Sequence, residues 1–151
     1  MKKKVSNILV GVSGEYFVAA ELSRRGYIAS ITLRNTKGID IVASSENGDK
    51  TVNIQVKTKS KKGKWWLLSK KAETVKNKNI FYVFVYLNED DKLPIFHIVP
   101  CRVVARRVKA GHKKWLETPG KNGKMHNDSN MRVWQDEKNK YLNRWDLLEL
   151  D

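Results

Sequence analysis

Asp40, Gln55 and Lys57 are the residues of this 151-residue chain whose types and spacing first suggest chemistry. They interrupt the apolar ends of GIDIVASSENGDKTVNIQVKT, residues 38–58. The stretch reads as two β-strands, about 38–45 and 51–58, joined through a turn at Asn47-Gly48. A hairpin centred on that turn pairs residues whose numbers sum to 95, so Asp40 is expected opposite Gln55 and Gly38 opposite Lys57. Side chains alternate along a strand. Asp40, Gln55 and Lys57 should then leave one face, and Ile39, Ile41, Ile54 and Val56 the other. Opposed Cβ atoms lie ~4.5–5.5 Å apart, close enough for a carboxylate and a carboxamide to share one cation. A hairpin with one wet face shows the same alternation, so the hairpin alone leaves both readings open.

Glu15 adds a second carboxylate in a telling place. A helix is expected over residues 13–25, with Ser13 as N-cap and Gly26 just past the end. At ~100° per residue, Val18, Ala19 and Leu22 form its apolar stripe. Glu15 falls within that stripe and not on the face carrying Glu21, Arg24 and Arg25. An inward carboxylate is costly unless it is paired, hydrogen-bonded or bound to a metal. The alternative is a first-turn acid favoured by the helix dipole.

Glu15, then Asp40, then Gln55-Val56-Lys57, laid out as helix, strand, turn and strand, resembles the PD-(D/E)XK nuclease superfamily. The likeness is to its small restriction-endonuclease-like and Holliday-junction-resolvase-like branches, over about residues 11–100. The resemblance implies an α/β (α+β) fold with a mixed central β-sheet flanked by helices. It implies catalytic residues Glu15, Asp40, Gln55 and Lys57. It also implies Mg²⁺ (or Mn²⁺) held by Asp40, the side-chain oxygen of Gln55, the backbone carbonyl of Val56, and Glu15 directly or through water. Lys57 would stand near the attacking water and the phosphate. The activity implied is that of a metal-dependent endonuclease hydrolysing phosphodiester bonds of duplex or branched DNA, of restriction, repair or recombination type. A homodimer that cuts both strands is the expected assembly. Two positions depart from the pattern: Ile39 stands in place of the namesake proline, and Gln55 in place of the more usual glutamate. The second leaves the site one negative charge short. The alternative is therefore a catalytically inactive nucleic-acid-binding protein retaining the nuclease fold.

The remaining elements must position these groups. A strand is expected at 27–33, a basic loop at 59–64, and a short helix capped by Ser69. A buried central strand is expected at 80–87, because IFYVFVYL is continuously apolar. Another strand follows at 93–99, and Pro100 opens a helix running to about Trp115. Residues 117–131 read as a long loop and 140–150 as a helix. The order is roughly α-β-β-β-α-β-β-α-α, in one domain of 1–151 with a core at about 11–100 and a basic C-terminal extension at about 101–151.

The net charge of +14 is concentrated in two places. Residues 57–78 carry nine lysines against Glu73, a net +8, and residues 101–124 carry eight Lys and Arg against Glu117, a net +7. Such segments point to a polyanion, because each phosphate contact gains from counterion release. The candidate nucleic-acid contacts are Lys59, Lys61, Lys62, Lys64 and Trp65, then Arg102, Arg106 and Arg107; solvated faces are the alternative. Nothing here separates DNA from RNA.

Other chemistries are poorly served. Cys101 is the single cysteine, which excludes an intramolecular disulfide framework and suggests a buried free thiol. His97, His112 and His126 lack metal-ligand spacing, and no Walker loop or dinucleotide fingerprint calls for a small-molecule cofactor. No apolar run approaches the ~20 residues of a membrane span, and the apolar stretch after the basic start is short for a signal peptide. A soluble cytoplasmic protein is expected.

Overall fold

A computed structural model describes residues 5–33 and 37–151; the basic start, residues 1–4, lies outside them. The first helix, α1, spans Asn7–Ser23 and begins six residues before the position expected from sequence. Ser6, not Ser13, caps it: the Ser6 hydroxyl accepts from the Leu9 N–H at 3.3 Å. Ser13 lies inside the helix and donates to the Val10 carbonyl at 2.9 Å. Gly26 does end the helix as expected, with φ of +87° and the Tyr27 N–H returning to the Leu22 carbonyl. The buried stripe is Val10, Gly14, Val18 and Leu22.

Five strands form the central sheet: β1 (Ile28–Ile31), β2 (Ile41–Ser44), β3 (Thr51–Lys59), β5 (Ile80–Tyr86) and β6 (Ile95–Pro100). Their spatial order is β1-β2-β3-β5-β6. The β3–β5 pair is parallel and the others are antiparallel. The hairpin register is the expected one, with Ile41 opposite Ile54 and Val42 opposite Asn53. Between β3 and β5 runs β4 (Trp65–Ser69), followed by a 3-10 turn at Lys70–Glu73. The helix expected after Ser69 is only that turn, and the Ser69 side chain makes no capping bond. Helix α2 spans Cys101–Glu117 behind Pro100. A further strand not expected from the sequence, β7 (Met131–Gln135), pairs antiparallel with β4 to form a separate two-stranded sheet. The C-terminal helix is likewise reduced to a 3-10 turn at Trp145–Leu148.

Strand β5 lies fourth in the sheet, between β3 and β6, so the central place expected for it belongs to β3. It is nonetheless covered on both faces, with Phe81 to Val85 all buried. Its odd-numbered side chains, Phe81, Val83 and Val85, pack with Val18 and Leu22 of α1 and with Trp145, Leu148 and Leu150 near the C-terminus. Its even-numbered ones, Tyr82 and Phe84, pack with Val104 and Val108 of α2 and with Trp66 and Trp134 from β4 and β7. The last third of the chain therefore supplies part of both layers. Among the described residues, no helix is long and apolar enough to cross a membrane.

Candidate active site

The candidate residues gather around the C-terminal half of β3, where the neighbouring strand runs out. β2 begins at Ile41, so Asp40 lies just outside the ladder. Its N–H donates to the carbonyl of Ile54 at 2.8 Å, although Ile54 is already paired with Ile41. Two successive residues thus address one partner, which is the pattern of a β-bulge. The simple expectation of Asp40 in register opposite Gln55 is corrected accordingly. The bulge turns the Asp40 side chain along β3, where its Oδ2 accepts from the Val56 N–H at 2.7 Å. A strand N–H left without a rung needs another acceptor, and the carboxylate supplies it. Asp40 is thereby tethered to the backbone between Gln55 and Lys57.

Gln55 and Lys57 are half-buried and alternate with the buried Ile54 and Val56. Among the described hydrogen bonds and ion pairs, none joins the side chains of Asp40, Gln55 and Lys57 to one another. Helix α1 meets the same end of β3 at Gly14, the residue before Glu15. Gly14 is buried against Thr58, and a Cβ added there would overlap the Thr58 side chain, coming within 2.8 Å of its Cβ. The missing side chain lets α1 rest directly on β3, one residue beyond Lys57. Glu15 itself is half-buried beside the helix stripe.

The donors near this point are two carboxylates, a carboxamide and a backbone carbonyl, all hard oxygens. Mg²⁺ takes such oxygens and is usually held by one or two carboxylates, with water and substrate phosphate completing the octahedron. The set fits that mode. It does not make an acid-rich cage, since no group of three His, Cys, Asp or Glu among the described residues is placed to hold a metal.

Lys57 looks into an open cleft of about 480 Å³ that it shares with Lys61, Lys62, Trp65 and Leu67. Of the adjacent tryptophans, Trp65 is half-exposed at 50% and Trp66 is buried. The Trp66 indole donates to the Val85 carbonyl at 3.1 Å. Lys61, Lys62 and Lys64 are exposed. Lys59 has a different situation: its ammonium donates to the carbonyls of Gly63 and Trp65 and lies 3.8 Å from the Trp66 ring centroid. Desolvation holds its pKa below the ordinary lysine value. Its bonds close the 60–64 loop. Arg102, Arg106 and Arg107 are exposed on α2. The Arg107 guanidinium lies over Trp134 and Tyr141, 5.4 and 5.2 Å from the ring centroids.

The groups set aside as structural behave so. His97 Nδ1 is 2.8 Å from Asp136 Oδ2, both buried. Asp136 also accepts from the Lys140 and Tyr141 N–H groups at 3.0 and 2.8 Å. Cys101 is buried and donates to the Asn77 carbonyl, and burial pushes its thiol pKa up. What the sequence did not disclose is the contribution of β7, whose Met131, Val133 and Gln135 stand exposed beside Trp65 and Leu67.

No protein family matches the chain by sequence, and no curated protein does. Solved structures do. A bacterial homing endonuclease, I-Ssp6803I, superposes with a TM-score of 0.55 at 17% identity, covering 97% of this chain and 94% of its own. The Holliday junction resolvase Hjc of Archaeoglobus fulgidus gives a TM-score of 0.45 at 14% identity, covering 88% of this chain and 96% of its own. The chain has the restriction-endonuclease-like fold, a mixed α+β sheet flanked by helices. The likeness to the homing endonuclease includes the C-terminal third, which the sequence resemblance had not reached.

Proposed function

We propose that the chain is a metal-dependent DNA endonuclease. The observation that carries this reading is the tether of the Asp40 carboxylate to the Val56 N–H. It ties a carboxylate to the backbone between Gln55 and Lys57, and Lys57 lines the lysine-rich cleft next to it. The restriction-endonuclease-like fold supports the reading, as does the homing-endonuclease activity of a structural neighbour. Asp40, the Gln55 side-chain oxygen, the Val56 carbonyl and Glu15 would hold Mg²⁺ or Mn²⁺. A cation bound there neutralises charge on the phosphate and acidifies water. Lys57 orients the attacking water and stabilises charge developing on the phosphoryl oxygens. The lysines of the 60–64 loop and Arg102, Arg106 and Arg107 hold the backbone of the substrate.

A second copy is the proposed assembly. It is supported by the apolar side of α1 that faces solvent, where Ile8, Leu9, Tyr16 and Phe17 are 65, 58, 65 and 42% exposed. A non-catalytic DNA-binding protein is the competing reading, favoured by one observation: Gln55 is neutral where a third acid would strengthen cation binding.

Cleavage of supercoiled plasmid and of a four-way junction separates the two. Wild type and Lys57→Ala are compared with Mg²⁺, with Mn²⁺ and with EDTA. Metal-dependent cutting that is lost in the variant, with DNA affinity retained, is the expected result. Salt-sensitive binding without cutting under either metal leaves the binding protein.

A further inference from the structure

The outward face of the β4–β7 sheet is covered by no other element among the described residues. Trp65, Leu67 and Ser69 stand exposed on one strand and Met131, Val133 and Gln135 on the other, while Trp66, Leu68, Arg132 and Trp134 face inward. Leu67 lies opposite Val133, and Trp65 opposite Gln135. Four large apolar side chains therefore sit side by side in solvent on a protein of net charge +14, and contiguous patches of this kind mark interaction sites.

The surroundings indicate the occupant. Along the β4 edge, Lys57, Lys61 and Lys62 share a cleft with Trp65 and Leu67. Along the β7 edge, Arg107 shares another with Met131, Val133 and Gln135. The ribbon is thus an apolar strip with cations on both sides. The major groove of DNA has the complementary layout, a floor of base edges and thymine methyls between two phosphate backbones. The sizes agree: two strands ~4.8 Å apart with their side chains fit a groove ~12 Å wide that is known to admit a two-stranded ribbon. Arg107 is held ready by the Trp134 and Tyr141 rings beneath it. Lys57 also borders a cleft with Leu67, Ser69 and Met131, so a seated ribbon leaves that lysine beside a phosphate backbone.

We propose that the β4–β7 ribbon enters the major groove of double-stranded DNA and sets the sequence preference of the protein. Leu67 and Val133 lie against thymine methyls, and Gln135 bonds an adenine edge. This rests on the endonuclease reading above.

The test is a binding selection from duplexes with a randomised centre, in EDTA, for wild type, the Leu67→Ala/Val133→Ala pair and Gln135→Ala. The selected duplex is then titrated with thymine replaced by uracil, which removes only the methyl. Wild type is expected to select a motif. The paired variant should lose about tenfold in affinity for it, and uracil should cause a similar loss in wild type but none in that variant. Gln135→Ala should relax discrimination at one base pair. Melting temperatures should not move, since all three residues are exposed. The proposal is overturned if the variants select the wild-type motif at wild-type affinity, if uracil has no effect, or if no motif is selected. Tighter binding of single strands overturns it too, as does a dimer that dissociates in the paired variant while duplex affinity is kept. Metal-dependent cleavage lost in Lys57→Ala would survive any of these results and keep the endonuclease reading. A wild type that neither binds nor cuts duplex removes both.

Discussion

At the scale of single residues, Asp40 has two separable roles, one through its charge and one as a hydrogen-bond acceptor. Its Oδ2 satisfies the Val56 N–H, so Asp40→Ala removes a charge and also orphans a backbone donor. An unsatisfied donor costs roughly 1–3 kcal/mol. Asp40→Asn keeps an acceptor oxygen and loses only the charge. Chemical denaturation should therefore show Asp40→Ala destabilised by about that amount and Asp40→Asn close to wild type, with cleavage lost in both. Equal stability of the two variants would show that the tether contributes nothing. Cys101 offers a second check at this scale. Burial raises its thiol pKa, so the thiol is protonated and shielded at neutral pH and should react with a thiol reagent only on unfolding. The sign for stability follows: the contribution is fully present below the unfolded value of about 8.5. It is lost as pH rises through the higher folded value. Alkaline melts should show this decline, and it should begin at higher pH in Cys101→Ser, where the buried Tyr82 phenol, pushed up to about 12, still contributes.

At the scale of elements, the contact that sets the site is that of α1 on β3. Gly14 permits it, and the buried Thr58 hydroxyl beneath has no hydrogen-bond partner. Gly14→Ala should force the helix away from the strand. Overpacking of this kind costs roughly 1–3 kcal/mol, visible as a lowered melting temperature, and cleavage should fall as well because Glu15 moves with the helix. Thr58→Val is the control: it removes an unsatisfied polar atom at constant volume and should be neutral or stabilising. A Gly14→Ala protein as stable and active as wild type would mean that the close approach has no consequence. The bulge at Asp40 is the other positioning device, and it works by ending the β2 ladder one residue short of Gln55.

At the scale of the whole molecule, the two basic segments act together. They are separated along the chain, with β4 inside the first and β7 after the second. The β4–β7 pairing leaves Lys61 and Lys62 of the first beside one edge of the ribbon and Arg107 of the second beside the other. DNA affinity should therefore fall steeply with salt, by about 0.9 in log K per log unit of salt for every phosphate contacted. Arg107→Ala should lower the slope by about one, and Lys61→Ala/Lys62→Ala by about two. Slopes that do not change would place those cations away from the backbone.

The buried β5 strand, the hairpin register and the α2 start at Pro100 were all legible in the sequence. Each depends on local chemistry: a continuous apolar run, an Asn-Gly turn and a fixed proline φ. The four candidate residues could be named for the same reason, since period-2 alternation and a helical wheel are properties of neighbouring residues. β7 was hidden because its inward side chains are Arg132 and Trp134 and its outward ones Met131 and Val133. Residue type alone therefore assigns the wrong face. Arg132 is buried only because Glu73 and the Ser129 and Met131 carbonyls meet its guanidinium, and Glu73 is 59 residues away along the chain. The sequence by itself determined which groups are available for chemistry and which strands hold them. Only the tertiary structure decided where Asp40 points, how close Glu15 comes and which cations flank the ribbon. Each of those depends on a bulge, a helix crossing or a strand pairing between segments that the chain does not place side by side.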